Sequence, residues 1–157
     1  MRGRDGCEAG FTLIEVVCVL AIVALLASVV VPAISRQTSR PQLEAYAVEA
    51  AALLKADRNA AIRRGLEVTT RIDAQARALR SGANGQVVRL PADVRFETVM
   101  PRSCDERPAF ETISFFGSGR SCGGVITLTH LDAGYQIRVT WLTGRIEVVS
   151  NAGLSKR

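Results

Sequence analysis

The chain has 157 residues, 48% of them hydrophobic, with 20 Lys and Arg against 15 Asp and Glu for a formal charge of +5 at pH 7. Once a polar leader and a membrane-length apolar run are set aside, about 120 residues remain, enough for one small domain with its own core and too few for a second. The charge permits an anionic partner without selecting one. It would also survive loss of the leader, whose Arg2 and Arg4 balance Asp5 and Glu8.

Residues 1–10 read as a short polar leader with no apolar stretch of its own. Residues 11–34 are apolar except for Thr12, Glu15, Ser28 and Pro32, and a run of roughly 20 such residues is long enough to cross a bilayer. An ordinary secretory signal does not fit, because the best cleavage site, after Ala33, follows a core that is too long and carries Glu15. A lipoprotein signal fails as well: Cys7 precedes the apolar run, and Cys18 follows Glu15-Val16-Val17 rather than a small residue. With Arg2 and Arg4 on the cytoplasmic side, residues after 34 fall outside the inner membrane, although Arg36 and Arg40 weaken the contrast.

The run Gly10-Phe11-Thr12-Leu13-Ile14-Glu15, placed between a basic leader and a hydrophobic helix, resembles the amino-terminal signature of type IV pilins and of the pseudopilins of type II secretion. Pro32 falls where that family commonly bends its helix. The resemblance implies that a prepilin peptidase cuts between Gly10 and Phe11, that the new amine of Phe11 is methylated, and that Glu15 holds assembly register. It also implies that other pilins or pseudopilins are the partners of the apolar helix.

Electrostatics supports the register role from the residues alone. An ionised carboxylate in hydrocarbon costs a few kcal/mol. An opposite charge about 4 Å away returns roughly 4 kcal/mol at an effective dielectric near 20. The terminal amine of a neighbouring subunit is a natural partner, and the pairing would fix the axial offset between packed helices. The competing reading is that Glu15, close to the start of the run, snorkels to the headgroups.

Residues 35–65 are expected to form an amphipathic helix. Leu43, Ala47, Ala50, Leu54 and Ala61 recur at helical spacing, and Gly65 is a stop just after Arg63 and Arg64. Pro41 cannot donate within a helix interior, while Ser39-Arg40-Pro41-Gln42 reads as a capping box, so a kink or break is expected at 37–41. Its alanine-rich face is read as the surface on which a sheet lies.

Residues 66–149 are expected to form an antiparallel β domain. Leu66, Val68, Thr70 and Ile72 alternate with polar residues, as do Val94, Phe96 and Thr98. Ile126, Leu128 and His130 lead through the turn Asp132-Ala133-Gly134 to Tyr135, Ile137, Val139 and Trp141. A second turn, Leu142-Thr143-Gly144, leads on to Ile146 and Val148. Residues 74–86 and 101–108 read as loops, and 150–157 as a mobile tail. The fold class is α+β and pilin-like: a long membrane-spanning helix, then an amphipathic helix packed on an antiparallel sheet.

In a periplasmic domain Cys104 and Cys122 are the pair available for a disulfide, with free thiols in the core or a metal site including His130 as the competing readings. No familiar ligand spacing supports a metal, and no cofactor is implied. The glycine-rich stretch 117–124 lacks the Lys-Ser/Thr ending of a phosphate loop and precedes a strand rather than a helix. Ser121, His130 and Asp132 supply the residue types of a hydrolase triad without any spacing rule to link them. The chain reads as a structural protein, not an enzyme.

The stretch from Ile113-Ser114-Phe115-Phe116 through Gly117-Ser118-Gly119-Arg120-Ser121-Cys122-Gly123-Gly124, with Trp141-Leu142-Thr143-Gly144-Arg145-Ile146 after it, resembles the carboxy-terminal region of the GspH/FimT family. Cys122 departs from the small polar residue expected there. The resemblance implies a minor pseudopilin at or near the tip of a periplasmic pseudopilus that drives protein export. The alternative is a FimT-like minor pilin of a type IV pilus that binds DNA during uptake, with Arg138, Arg145, Lys156 and Arg157 forming a basic edge for phosphates.

Overall fold

A computed structural model describes residues 12–30 and 38–151. The chain divides into two compact units, residues 1–36 and 37–157.

In the first unit, helix α1 runs Leu13–Val30, and its first turn closes with Glu15 and Val16 donating their N–H groups to Thr12 O. Eighteen residues at a rise of about 1.5 Å give roughly 27 Å, just short of a hydrocarbon core of about 30 Å. Among the described residues, no helix is long and apolar enough to cross a membrane. The expected span 11–34 extends past both ends of α1 into residues outside those described, Pro32 among them.

The second unit opens with helix α2, Arg40–Arg64. Ser39 precedes it in an extended conformation, Pro41 sits in its first turn, and the Gln42 side chain accepts the Ser39 N–H at 2.9 Å. A proline is harmless there because its missing N–H would have no helical partner. The helix ends where Gly65 takes φ 64°, returning its N–H to the last turn. The five expected inward residues, Leu43, Ala47, Ala50, Leu54 and Ala61, are all fully buried.

Ten strands follow: β1 (Val68–Asp73), β2 (Ala78–Arg80), β3 (Val87–Arg89), β4 (Arg95–Val99), β5 (Ser103–Cys104), β6 (Arg107–Pro108), β7 (Thr112–Phe115), β8 (Gly124–His130), β9 (Ala133–Val139) and β10 (Ile146–Ser150). They form two four-stranded sheets, ordered β3-β2-β1-β7 and β10-β9-β8-β4, and a small β5-β6 hairpin. Every pairing is antiparallel. Alternation puts Val68, Ile72, Leu79, Val88, Ile113 and Phe115 of one sheet, and Ile126, Leu128 and Ile137 of the other, into one core with α2.

Several local expectations change. The stretch 74–86 holds β2, and 101–108 holds the β5-β6 hairpin; strands of two or three residues are too short to show a period. Leu66 is 65% exposed because the Gly65 cap turns the chain before β1 begins. Trp141 is 60% exposed because β9 ends at Val139 and the chain turns back, with Thr140 N–H donating to Arg145 O. Ser150, expected in the tail, closes β10 opposite Tyr135, and Asn151 N–H reaches Gly134 O at 2.7 Å. Residues 152–157, with Lys156 and Arg157, lie outside the described residues.

Candidate functional site

Gly10 and Phe11 also lie outside the described residues. Glu15 sits in the first turn of α1, beside a shallow hollow of about 220 Å³ that it shares with Val16, Val19 and Leu20. Leu13, Ile14, Val17, Ile22, Val23 and Leu26 are exposed as well. A helix apolar on every side has its proper environment in lipid or among other helices. Among the described residues the Glu15 carboxylate makes no hydrogen bond or ion pair.

The distal end of α2 gathers the two carboxy-terminal motifs. Arg58 donates from Nε to Gly119 O at 3.3 Å and from Nη2 to Thr143 O at 3.0 Å, tying the 117–120 loop to the 141–144 turn. Gly144, at φ 60°, has no room for a side chain: a Cβ would meet Gly119 O and lie 2.9 Å from Arg58 Nε. Close by, Cys104 and Cys122 form a disulfide with Cα atoms 5.5 Å apart, as expected for a periplasmic pair, so the β5-β6 hairpin is anchored to the glycine-rich loop. The disulfide, Phe116, Arg120 and Trp141 line a hollow of about 520 Å³.

One residue of α2 escaped the sequence reading. Asp57 is fully buried, and its carboxylate accepts four hydrogen bonds: from Thr70 Oγ1 at 2.6 Å, from Ser81 Oγ, and from the N–H groups of Gly82 and Ala83 at 3.1 Å each. The signal was present, because position 57 continues the inward series 43, 47, 50, 54 and 61. A charged residue on that face calls for internal donors.

The proximal end of α2 is held by a second carboxylate. Asp93 accepts Thr38 N–H at 2.7 Å and Thr38 Oγ1–H at 3.0 Å, and His130 Nδ1 lies 2.8 Å from Asp93 O. The Thr38 N–H holds the Asp93 carboxyl below its ordinary value of 3.8; the Thr38 hydroxyl, Asp93's own N–H and the nearby His130 add to this, against partial desolvation.

The remaining candidates do not assemble. His130 is engaged with Asp93, and Ser121 Oγ accepts Gly123 N–H at 3.1 Å, so neither is bonded to Asp132. Arg138 donates to Gln136 Oε1 and stands opposite Glu147 in register, while Glu147 pairs with Arg145 at 2.7 Å.

Residues 6–31 match the prokaryotic N-terminal methylation motif, a stretch that includes Gly10, Phe11 and Glu15. The chain is 31% identical over 139 residues to type II secretion system protein H of Xanthomonas campestris pv. campestris, covering 87% of this chain and 80% of that one. The chain belongs to the type II secretion protein H family. Its fold matches that of two solved structures. The minor pseudopilin EpsH from the type 2 secretion system of Vibrio cholerae superimposes with TM-score 0.54 at 13% identity, over 68% of this chain and 95% of that one. The type IV minor pilin FimU of Pseudomonas aeruginosa gives TM-score 0.53 at 18% identity, over 71% of this chain and 91% of that one.

Proposed function

We propose that the protein is a structural minor pseudopilin of a type II secretion system, anchored in the inner membrane and assembling with other pseudopilins at or near the tip of a periplasmic pseudopilus that drives export. The observation that carries this reading is Glu15: a carboxylate with no hydrogen bond or ion pair among the described residues, on a helix whose other described side chains are exposed and mainly apolar. Prepilin peptidase removes residues 1–10 by cutting between Gly10 and Phe11, and Phe11 is then methylated on its new amine. That amine pairs with Glu15 of an adjacent subunit, which fixes the axial offset. The segment 11–34 spans the membrane with the leader cytoplasmic, Pro32 bends it, and the domain carrying Cys104–Cys122 faces the periplasm.

The test is incorporation of Glu15→Ala into filaments sheared from cells, read beside its insertion into membranes. Normal insertion with lost incorporation supports the register role; normal incorporation overturns it. Intact mass of envelope protein lacking residues 1–10 and carrying one added methyl supports processing at Gly10; an unprocessed chain, or cleavage after Ala33, overturns it.

The second reading, a FimT-like minor pilin that binds DNA, draws on the charge of +5 and on the likeness to a type IV minor pilin. Its described arginines, Arg138 and Arg145, already have protein partners. Salt-sensitive binding of duplex DNA, lost in Arg138→Ala/Arg145→Ala, would favour it.

A further inference from the structure

The outer face of the β3-β2-β1-β7 sheet carries Arg71 on β1, Arg80 on β2 and Arg89 on β3, all exposed. Arg71 stands directly opposite Arg80, and Arg89 opposite Ala78, one diagonal step from Arg80. Directly opposed like charges destabilise a sheet. Among the described residues none of these guanidinium groups has a hydrogen bond or ion pair. A carboxylate is near enough to have served, since Asp73 shares the face, but it accepts Ala76 N–H at 2.7 Å instead. On the other sheet the outward arginines have partners: Arg95 lies 3.8 Å from Glu97, and Arg138 donates to Gln136 Oε1.

The three arginines line an open cleft of about 660 Å³ together with Asp73, Glu111 and Phe110, whose ring is 70% exposed. We propose that this cleft is a docking site for an acidic segment of a partner protein, lying extended with one carboxylate shared by Arg71 and Arg80 and the next on the same face at Arg89. Guanidinium groups match carboxylates in planar, bidentate geometry. Same-face side chains of an extended peptide repeat about every 7 Å, comparable to the roughly 7–8 Å diagonal step from Arg80 to Arg89, while the directly opposed Arg71 and Arg80, about 4.5–5.5 Å apart at Cβ, converge on one carboxylate. Phe110 offers a surface for one apolar side chain. Asp73 and Glu111 on the rim argue for a polypeptide over a nucleic acid: a uniform phosphate chain would lie against both, whereas a peptide can present backbone N–H or a basic residue there.

The full chain in a neutral detergent is titrated, by fluorescence anisotropy, with a labelled peptide carrying Glu at alternate positions and one Leu. Its Gln counterpart and a short DNA duplex are the comparisons. Saturable binding of the Glu peptide is expected, with affinity reduced about tenfold by each of Arg71→Ala, Arg80→Ala and Arg89→Ala. Arg80→Glu is expected to shift preference to a peptide with Lys in place of Glu. If Arg80→Ala moves the unfolding midpoint, Arg89→Ala on the edge strand β3 supplies the same reading. Absent saturation, equal binding of the Gln peptide, or indifference to the arginines overturns the proposal. Tighter, arginine-dependent binding of the duplex overturns it in favour of a nucleic-acid surface.

Discussion

Replacing Asp57 tests whether the buried carboxylate holds α2 against the first sheet. Oδ2 accepts from Thr70 and Gly82, while Oδ1 accepts from Ser81 and Ala83. In Asp57→Ala, Ala83 N–H keeps Ser81 Oγ at 3.1 Å, but Gly82 N–H loses its acceptor and the Thr70 and Ser81 hydroxyls must turn elsewhere. At roughly 1–3 kcal/mol for each stranded buried group, discounted for rotatable hydroxyls, the loss is about 3–5 kcal/mol. That is a large fraction of the 5–15 kcal/mol typical of a domain. Asp57→Asn keeps one acceptor. With its oxygen at the Oδ2 position, its amide can donate to Ser81 Oγ, so only about 1–2 kcal/mol is lost. Urea unfolding followed by far-ultraviolet circular dichroism reads both values. A double-mutant cycle with Thr70→Val should return coupling of about 0.5–3 kcal/mol. A loss below about 1 kcal/mol for Asp57→Ala, or equal losses for the two variants, would refute the four-bond account.

Reducing Cys104–Cys122, which closes 18 residues, should cost about 3 kcal/mol on the chain-entropy model, measured by unfolding with and without reductant. Arg58→Ala removes two charge-assisted bonds to loop carbonyls and should cost about 2 kcal/mol, with Trp141 emission reporting the loosened turn. Gly144→Ala should destabilise more than an exposed turn residue ordinarily would, since φ 60° and the crowding by Gly119 and Arg58 both oppose a Cβ. Asp93 is depressed in the folded state, so its contribution is complete above the ordinary carboxylate value of 3.8 and is lost as pH falls through the lower folded value; Asp93→Asn should flatten that acid-side loss in a pH series of unfolding midpoints.

The legibility of this fold follows the length of its periodic segments. The inward face of α2 was readable because it repeats over about five turns, and β8 to β10 because hairpin signals separate runs of alternation. β2 and β3 were not readable: each offers a single inward residue, Leu79 or Val88, and exists only through pairing in register with its neighbour. Leu66 and Trp141 show the opposite error, in which a correct alternation was carried one step past a turn. Asp57 shows a third. Its position in the helical series was visible, but its donors come from residues 13 to 26 places away, which no local pattern displays. The N-terminal methylation motif was legible because Gly10 to Glu15 is contiguous in sequence, whereas the arginine face emerges only once the register of three strands is known.

The polar contacts of α2 reinforce the axial setting of its packing face. The buried face carries five alanines beside Leu43, Leu53, Leu54 and Asp57, and shifting the helix by one turn, about 5.4 Å, would exchange Ala47 for Ala50 or Ala51 but would also carry Leu43 onto the place of Ala47 and an alanine onto that of Leu54. Such a shift would break every polar fixing at once. Thr38 would leave Asp93, the Asp57 carboxylate would leave its donors on β1 and the 81–83 turn, and Arg58 would leave the two loop carbonyls. The buried leucines and the buried or half-buried polar bonds therefore select the same axial setting. For a subunit proposed to sit at or near the tip of a pseudopilus that drives export, a domain that does not slip on its own helix keeps its surface in a fixed place, and these residues hold α2 near both of its ends.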